Sequence, residues 1–550
     1  MAVDREWWKE GVVYQLYAQS FNDSDGDGIG DLPGITERVD YLDELGVDVV
    51  WLTPVYDSPL ADNGYDIRDY RSIHDDYGTM ADWERLRDAL HARDIRLVMD
   101  LVVNHTSDEH EWFERSRRRE GKYEDYYYWR EEPPNDWESL WGDSAWAYDE
   151  ERGEYYLHLF DAKQPDLNWR NPDVREDVHE MMRWWLEKGI DGFRMDVINL
   201  IGKPDPIPED PNGPRWGVDH FATHETTHEF IREMYEEVLS DYDVMTVGET
   251  PRVTIEDARK LTTEDGLDMV FQFEHMHVDQ HPEDPWARTE FDLREFKRIM
   301  SRWQTGLGEG WNSVYLGNHD QPRIVSRFGD DGEYRTESAK ALATFLLTLG
   351  GTPFLYQGDE IGMTNVPFDS LDEHRDVWTH DEIETALETG RIDSFDDIAD
   401  QVNYWTRDNA RTPIQWTAAE NAGFTDGEPW IKVNPNYPEI NVADARGDPD
   451  SVWHYYRDLI AVRAEHDAII YGDYSQIAAE NEDVFAYVRS LDGERILVVI
   501  DFIGRSGTFE LPDGVDREGL ELLVANYGVS DPDPAEIDLR PWEARVYHDE

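Results

Sequence analysis

The chain has 550 residues, 39% of them apolar and 13% aromatic, enough for two or three domains around a sizeable core. It carries 122 Asp and Glu against 51 Lys and Arg, a net charge of −71, and no cysteine. This excludes disulfides and thiolate metal sites, disfavours nucleic acid as a partner because phosphates would meet a negative surface, and leaves no apolar run long enough to cross a membrane. The acids dot every segment instead of forming a tail. Such charge opposes compaction unless salt screens it, so the composition predicts a protein of a very salty cytoplasm. The start, MAVDREWWKEG, runs into VVYQLYAQSF without a charged-then-apolar leader, which predicts a cytoplasmic location.

Eight apolar runs read as strands: Val12–Phe21, Val47–Val55, Arg96–Asn104, Asp191–Ile198, Val244–Thr250, Asp268–Glu274, Asn312–Asp320 and Thr352–Glu360. Helical pattern separates most of them, for example at Thr36–Leu45, Met80–Ala92 and Val174–Lys188. Eight alternating units predict an α/β fold, a closed (β/α)8 barrel, over residues 1–104 and 172–473. The third gap is too long for one helix, so residues 105–171 read as a small inserted domain. A second insertion spans about 363–452, and a helix at Trp453–Glu465 follows it. From 474 to 550 the pattern turns to short alternating runs such as VFAYVRS and RILVVID, which predict a C-terminal antiparallel β-sandwich.

The ends of the strand runs carry acids. In GFRMDV, Arg194 and Asp196 are two apart and share a face, so Arg194 can hold Asp196 ionised as a nucleophile. Asp100 lies inside the apolar run LVMDLVV and needs a buried partner, for which Arg194 is the best choice. Glu249 ends VMTVGET. Partly apolar surroundings and nearby carboxylates would raise its pKa and suit it to be a general acid. His319 and Asp320 end the seventh run and can bind sugar hydroxyls. Asp62 and Tyr65, after the second run, offer an acceptor and an aromatic platform. Two carboxylates delivered by different strands are what cleavage of a glycosidic bond requires.

In sequence order, WWKEGVVYQLYAQSFNDSDGDGIGDLPGI, DNGYDI, DLVVNHTSDEHEWF, QPDLNW, GIDGFRMDVINLI, VGET, GNHDQPR, YQGDEIGMTNV and ARTPIQW run from Trp7 to Trp416. This set resembles glycoside hydrolase family 13, and within it the oligo-1,6-glucosidase and α-glucosidase group. The resemblance implies a TIM barrel and an exo-acting, retaining α-glucosidase that takes short oligosaccharides or disaccharides. It implies Asp196 as nucleophile, Glu249 as acid/base and Asp320 as transition-state stabiliser, with Asp62, Tyr65, His105, Arg194, His319 and Arg411 holding the terminal glucose. A retaining mechanism expects the two carboxyls about 5–5.5 Å apart. Val197, after the nucleophile, goes in relatives with α-1,6 preference, with α-1,4 cleavage possible. Gln164–Asn168 resembles the marker that separates this subgroup from α-amylases. Two departures touch no catalytic role: Asp359 stands where Glu is expected, and YAQSF replaces YPRSF. A sucrose isomerase or transglucosylase, or a trehalose-6-phosphate hydrolase, would use the same acids, although no basic residues mark a phosphate site. A non-catalytic, membrane-anchored relative is disfavoured by the three intact acids.

Two patterns suggest metals. Asp23-Ser-Asp25-Gly-Asp27-Gly-Ile29-Gly-Asp31 is half of a calcium loop, but the twelfth position is Gly34, not Glu. It predicts a structural Ca²⁺ or Mg²⁺ site built from Asp23, Asp25, Asp27, the Ile29 carbonyl and Asp31. The resemblance implies the same. His224-Glu225-Thr-Thr-His228 matches the HExxH zinc pattern. It falls in an acid-rich helical stretch outside the barrel, where a solvated helix face is the better reading.

Overall fold

The computed structural model describes residues 5–549 except 209–217, 264, 283, 514, 516–518, 531 and 535. Eight parallel strands close into a barrel: β1 (Val13–Leu16), β2 (Val49–Leu52), β3 (Arg96–Val102), β4 (Gly192–Asp196), β5 (Met245–Glu249), β6 (Met269–Phe271), β7 (Trp311–Val314) and β8 (Thr352–Tyr356). Each pairs with its sequence neighbours, and β1 closes the ring by pairing both β2 and β8. Both faces of every strand are covered, which is why these segments read as unbroken apolar runs and not as alternating ones. The close approach of β4 to β5 requires glycine, since a Cβ at Gly192 would lie 2.0 Å from the Met245 carbonyl oxygen.

The strands are shorter than the apolar runs, mostly at their C-terminal ends. β1 stops at Leu16, where a 3-10 turn at Ala18–Ser20 begins, and β7 stops at Val314, well before His319. The trailing residues are apolar because they pack under the barrel mouth, not because they pair. The helices start at legible caps. Met80–His91 opens on a Thr79/Asp82 capping box, and Pro172–Glu187 on an Asn171 cap with proline in its first turn. The expected helix at Thr36–Leu45 is two helices, Leu32–Glu37 and Val39–Leu45, with the break at Arg38.

Between β3 and β4 lies a helix, Glu111–Arg117, and a three-stranded antiparallel sheet of Trp129–Arg130, Glu154–Leu157 and Trp146–Asp149. After β8 the chain forms the helices Val377–Glu388, Ala399–Trp405 and Asp408–Arg411, then returns as the helix Val452–Glu465. The C-terminal part is antiparallel: a five-stranded sheet from Asp473–Ile477 to Ala544–Asp549, and a two-stranded sheet of Gly507–Glu510 with Glu536–Leu539. No helix among the described residues is long and apolar enough to cross a membrane.

Candidate active site

Register sets the heart of the site. Asp100 on β3 is paired directly with Arg194 on β4, and Val102 with Asp196, so the side chains stack in layers towards the strand ends. Arg194 is 1% exposed and serves three carboxylates. Its Nη1 donates to Asp100 Oδ1 at 2.5 Å and Asp196 Oδ1 at 2.8 Å, and its Nη2 lies 2.6 Å from Glu249 Oε2. The partner expected for Asp100 is therefore the one it has, and Trp51 Nε1 adds a bond to its other oxygen at 2.8 Å.

Three carboxyls around one guanidinium leave net negative charge in a buried space. Burial, and then Arg194 acting against it, sets Asp100, whose pKa is pushed up to about 6. The Asp196 carboxyl is also raised well above the usual range, by burial and by the charges of Glu249 and Asp100, with Arg194 opposing. Carboxylates crowded in a buried space disfavour one another's ionisation, so both shifts run in the same direction. Glu249 is the third carboxyl on this guanidinium. It is ion-paired, and its Oε2 accepts from the Val197 backbone N–H at 3.2 Å. Val197 adopts φ +34° and ψ +39°, a left-handed conformation costly for a β-branched residue. That turn aims the N–H of the residue after Asp196 at Glu249.

A second cluster faces this one. Arg411 Nη2 donates to Asp320 Oδ1 at 2.7 Å, and Arg407 Nη1 lies 3.4 Å from the same oxygen. Burial would raise Asp320, but His319 and the guanidiniums of Arg407 and Arg411 hold it well below the ordinary carboxylate range. His319 is kept neutral by burial, its pKa lowered to about 3. The Gln15 amide donates to its Nδ1 at 2.7 Å, which leaves the ring proton on Nε2, 3.3 Å from Asp320 Oδ2. Tyr65 stacks on this ring at 5.2 Å and 9°. Arg407 also reaches Asp62 Oδ1 at 3.1 Å, and Gln164 Nε2 bridges Asp62 Oδ2 at 3.2 Å and His105 Nε2 at 3.3 Å. The result is a ring of polar groups from five segments, all buried except for part of Asp320.

Every catalytic and sugar-binding position named from the sequence lies in these two clusters. Three contributors were not named there: Arg407, Gln164 and Asp376. Asp376 is fully buried and binds Arg407 Nε at 2.8 Å. Gln164 begins the QPDLN stretch, and Asp166 in the same stretch is anchored by the buried Lys203 at 2.8 Å. That stretch carried a signal, but Arg407 and Asp376 lie in the irregular insertion, where no periodicity marks them.

The metal patterns fare differently. Asp23, Asp25 and Asp27 converge, with carboxylate oxygens within 4.8 Å of one another, and Thr425 Oγ1 donates to Asp23. Asp31 does not join them. Its oxygens accept from the Ser24 backbone at 2.9 Å and from Gly34 N at 2.6 Å, the latter capping the helix Leu32–Glu37. Ile29 spends its N–H on Asp27 at 2.8 Å. In HExxH, His224 is not helical: it caps the helix Glu225–Glu237, its Nδ1 accepting from Thr226 N. The two histidines therefore do not share a face at helical spacing. The segment is also less solvated than expected, since burial lowers the pKa of both His224 and His228.

With a (β/α)8 barrel and acids at the ends of strands four and five, the family can be tested directly. The pattern described as "Alpha amylase, catalytic domain" matches residues 15–472. The chain belongs to this family. It is 54% identical to an oligo-1,6-glucosidase of Parageobacillus thermoglucosidasius, over 99% of each chain. Among solved structures, trehalose-6-phosphate hydrolase of Bacillus licheniformis superposes with a TM-score of 0.94 at 47% identity, covering 99% of this chain and all of the other. Isomaltulose synthase of Protaminobacter rubrum does so at 0.94 and 43%, with the same coverage. The fold is thus shared by a relative named a hydrolase and one named a synthase, so fold alone does not fix the reaction.

Proposed function

We propose that this protein is a retaining exo-α-glucosidase that releases glucose from the non-reducing end of short α-glucosides, with α-1,6 links favoured and α-1,4 links accepted. The observation that carries the reading is the pair Asp196 and Glu249 held on two nitrogens of one guanidinium, opposite Asp320. Asp196 attacks the anomeric carbon while Glu249 gives its proton to the departing oxygen, forming a glucosyl ester. Glu249 then takes a proton from water, which attacks the same carbon from the face the leaving group left, so the product keeps the α configuration. Asp320, kept ionised by two arginines, stabilises the positive charge that develops on the sugar. Asp62, His105, Gln164 and Arg407 are joined by direct contacts beside Asp320, an arrangement that supports a blocked end to the site and so removal of one terminal unit over internal cleavage.

Comparing kcat/KM for isomaltose, maltose, sucrose and trehalose 6-phosphate on one preparation, with NMR of the first-formed anomer, tests the reading. Isomaltose should lead and α-glucose should form first. A lead for maltose would reverse the linkage preference alone, and release of β-glucose would remove the mechanism. Isomerised sucrose as the main product would favour the synthase reading.

Two further properties belong to the proposal. The Asp23–Asp27 loop holds a structural Ca²⁺ or Mg²⁺, with Asp23, Asp25 and Asp27 supplying hard oxygens and Asp31 shaping the loop through the helix cap. Burial and the charges of Asp25 and Asp23 raise Asp27, as expected of crowded carboxylates that gain from a cation. Chelation should lower Tm, and Ca²⁺ should restore it. The net charge of −71 also makes the protein one adapted to a salty cytoplasm. Screening at about 1 M salt shortens the Debye length to roughly 3 Å, so circular dichroism should show the fold lost in dilute buffer and kept in molar KCl.

A further inference from the structure

Far from the barrel mouth, three side chains from distant parts of the chain converge at the seam between the barrel and the C-terminal sheet. His466 sits between the helix Val452–Glu465 and the short helix Asp467–Tyr471. Glu494 opens the strand Glu494–Asp501, just after the turn at Asp492-Gly493. His548 lies on the strand Ala544–Asp549, directly opposite Ile496, so it shares a sheet face with Glu494 two residues away. Glu494 Oε1 is 2.8 Å from His466 Nδ1 and 3.4 Å from His548 Nε2, and the imidazole rings are 4.5 Å apart. One ligand atom from each residue lies within 4.8 Å of the others.

We propose that His466, Glu494 and His548 form a binding site for a zinc-class divalent cation that clips the C-terminal domain to the barrel. The donor set, two imidazole nitrogens and one carboxylate oxygen, is the one such ions prefer when thiolates are absent. Ligand atoms about 2.0–2.2 Å from a tetrahedral ion lie roughly 3.3–3.5 Å apart, so the observed spacings need only small side-chain rotations. The carboxylate is already oriented, because its Oε2 accepts from the Ala468 backbone N–H at 3.1 Å. An outer hydrogen bond of this kind fixes a ligand before the metal arrives.

The surroundings favour a cation. The three side chains are between 14% and 22% exposed and open onto a cavity of about 430 Å³. Its other charged lining residues are Glu465, Asp467 and Asp492; Arg5 pairs with Asp467, and among the described residues no Lys or Arg lines the cavity. A divalent cation between the three side chains would take one ligand atom from each. It leaves a fourth position for water, and nothing places a sugar there, so the role is structural.

The test uses untagged full-length protein stripped with EDTA and then held in excess Ca²⁺, which fills oxygen-only sites. Zinc titrated by calorimetry should bind at one equivalent and raise Tm. Co²⁺ at the same site should show the visible absorption of a tetrahedral nitrogen-ligated ion. His466→Ala and His548→Ala should each weaken binding by about tenfold or more and abolish the Tm shift, with isomaltose hydrolysis unchanged. His548→Gln serves if the alanine variant folds poorly. Absence of a zinc equivalent in the wild type, or equal affinity in the histidine variants, overturns the proposal.

Discussion

Arg194 and Arg463 are both 1% exposed, and the molecule treats them in opposite ways. Arg194 is surrounded by Asp100, Asp196 and Glu249. Burial would lower its pKa, but those carboxylates raise it well above the ordinary value. Arg463 forms no ion pair with a carboxylate among the described residues, although Asp48 lies near enough to act on it. Its nitrogens donate to the carbonyls of Leu347 at 3.2 Å, Leu349 at 3.1 Å and Gly351 at 2.6 Å, at the end of the helix Arg335–Thr348. Burial, with Arg489 nearby, lowers its pKa to about 9. A cation at a helix C-terminus satisfies orphan carbonyls and the end of the dipole, which is architecture. A cation among carboxylates fixes their charge and direction, which is chemistry. Burial alone does not distinguish the two; the partners do.

Removing the chemistry at Arg194's partners should give the largest effect. Asp196→Asn and Glu249→Gln are each expected to lower kcat by about 10³-fold or more, with Tm little changed. Near wild-type turnover in either variant would falsify the assignment of roles. Arg463→Met should do the reverse. It leaves buried carbonyls without donors, at about 1–3 kcal/mol, seen as a Tm lower by several degrees with kcat/KM intact. A loss of activity without a loss of Tm would break the contrast between the two arginines.

A smaller effect sharpens it. Asp196 must be ionised to attack, and its pKa is raised in part by Asp100. Activity should therefore fall on the acid side at a pH above the usual carboxylate range. Asp100→Asn removes one negative neighbour, favours ionised Asp196, and should move that acid limb down by up to about one pH unit. An upward movement would show that Asp100 acts by holding Arg194 in place and not by its charge. The smallest effect is expected at Val197. Val197→Thr should shift the isomaltose to maltose ratio of kcat/KM towards maltose by about tenfold, within the 1–3 kcal/mol available to shape discrimination. Equal losses on both sugars would mean that the Val197 side chain does not set the linkage preference.

The barrel was legible because each strand is a short buried run set between helical stretches, and β-strand alternation puts Arg194 and Asp196 on one side by their spacing alone. Asp100 was legible for a similar reason, as an acid in an apolar run that had to find a cation. The ends of the strands were not, since Tyr17 or Leu316 is apolar whether it pairs in a strand or packs beneath a loop. The twelve-residue loop was readable as acidic, but not that Asp31 would be drawn away to cap a helix.

By itself the sequence determined the fold class, the glycosidase family and most of the polar groups that meet at the barrel mouth, because those depend on local periodicity and on residues fixed to strand ends. Tertiary structure alone decided that Glu249 joins Asp100 and Asp196 on Arg194, and that Asp62 and Asp320 share Arg407. Arg407 and Asp376 come from a segment without periodic pattern and enter the site only when the insertion folds over the barrel. His224 loses its place beside His228 because its side chain caps the helix it was expected to extend. His466, Glu494 and His548, separated by 27 and 53 intervening positions in the chain, meet only where two domains pack. Side-chain chemistry is written one residue at a time, but ion pairs and metal sites are set by distances of a few ångströms, and those exist only after the chain has closed on itself.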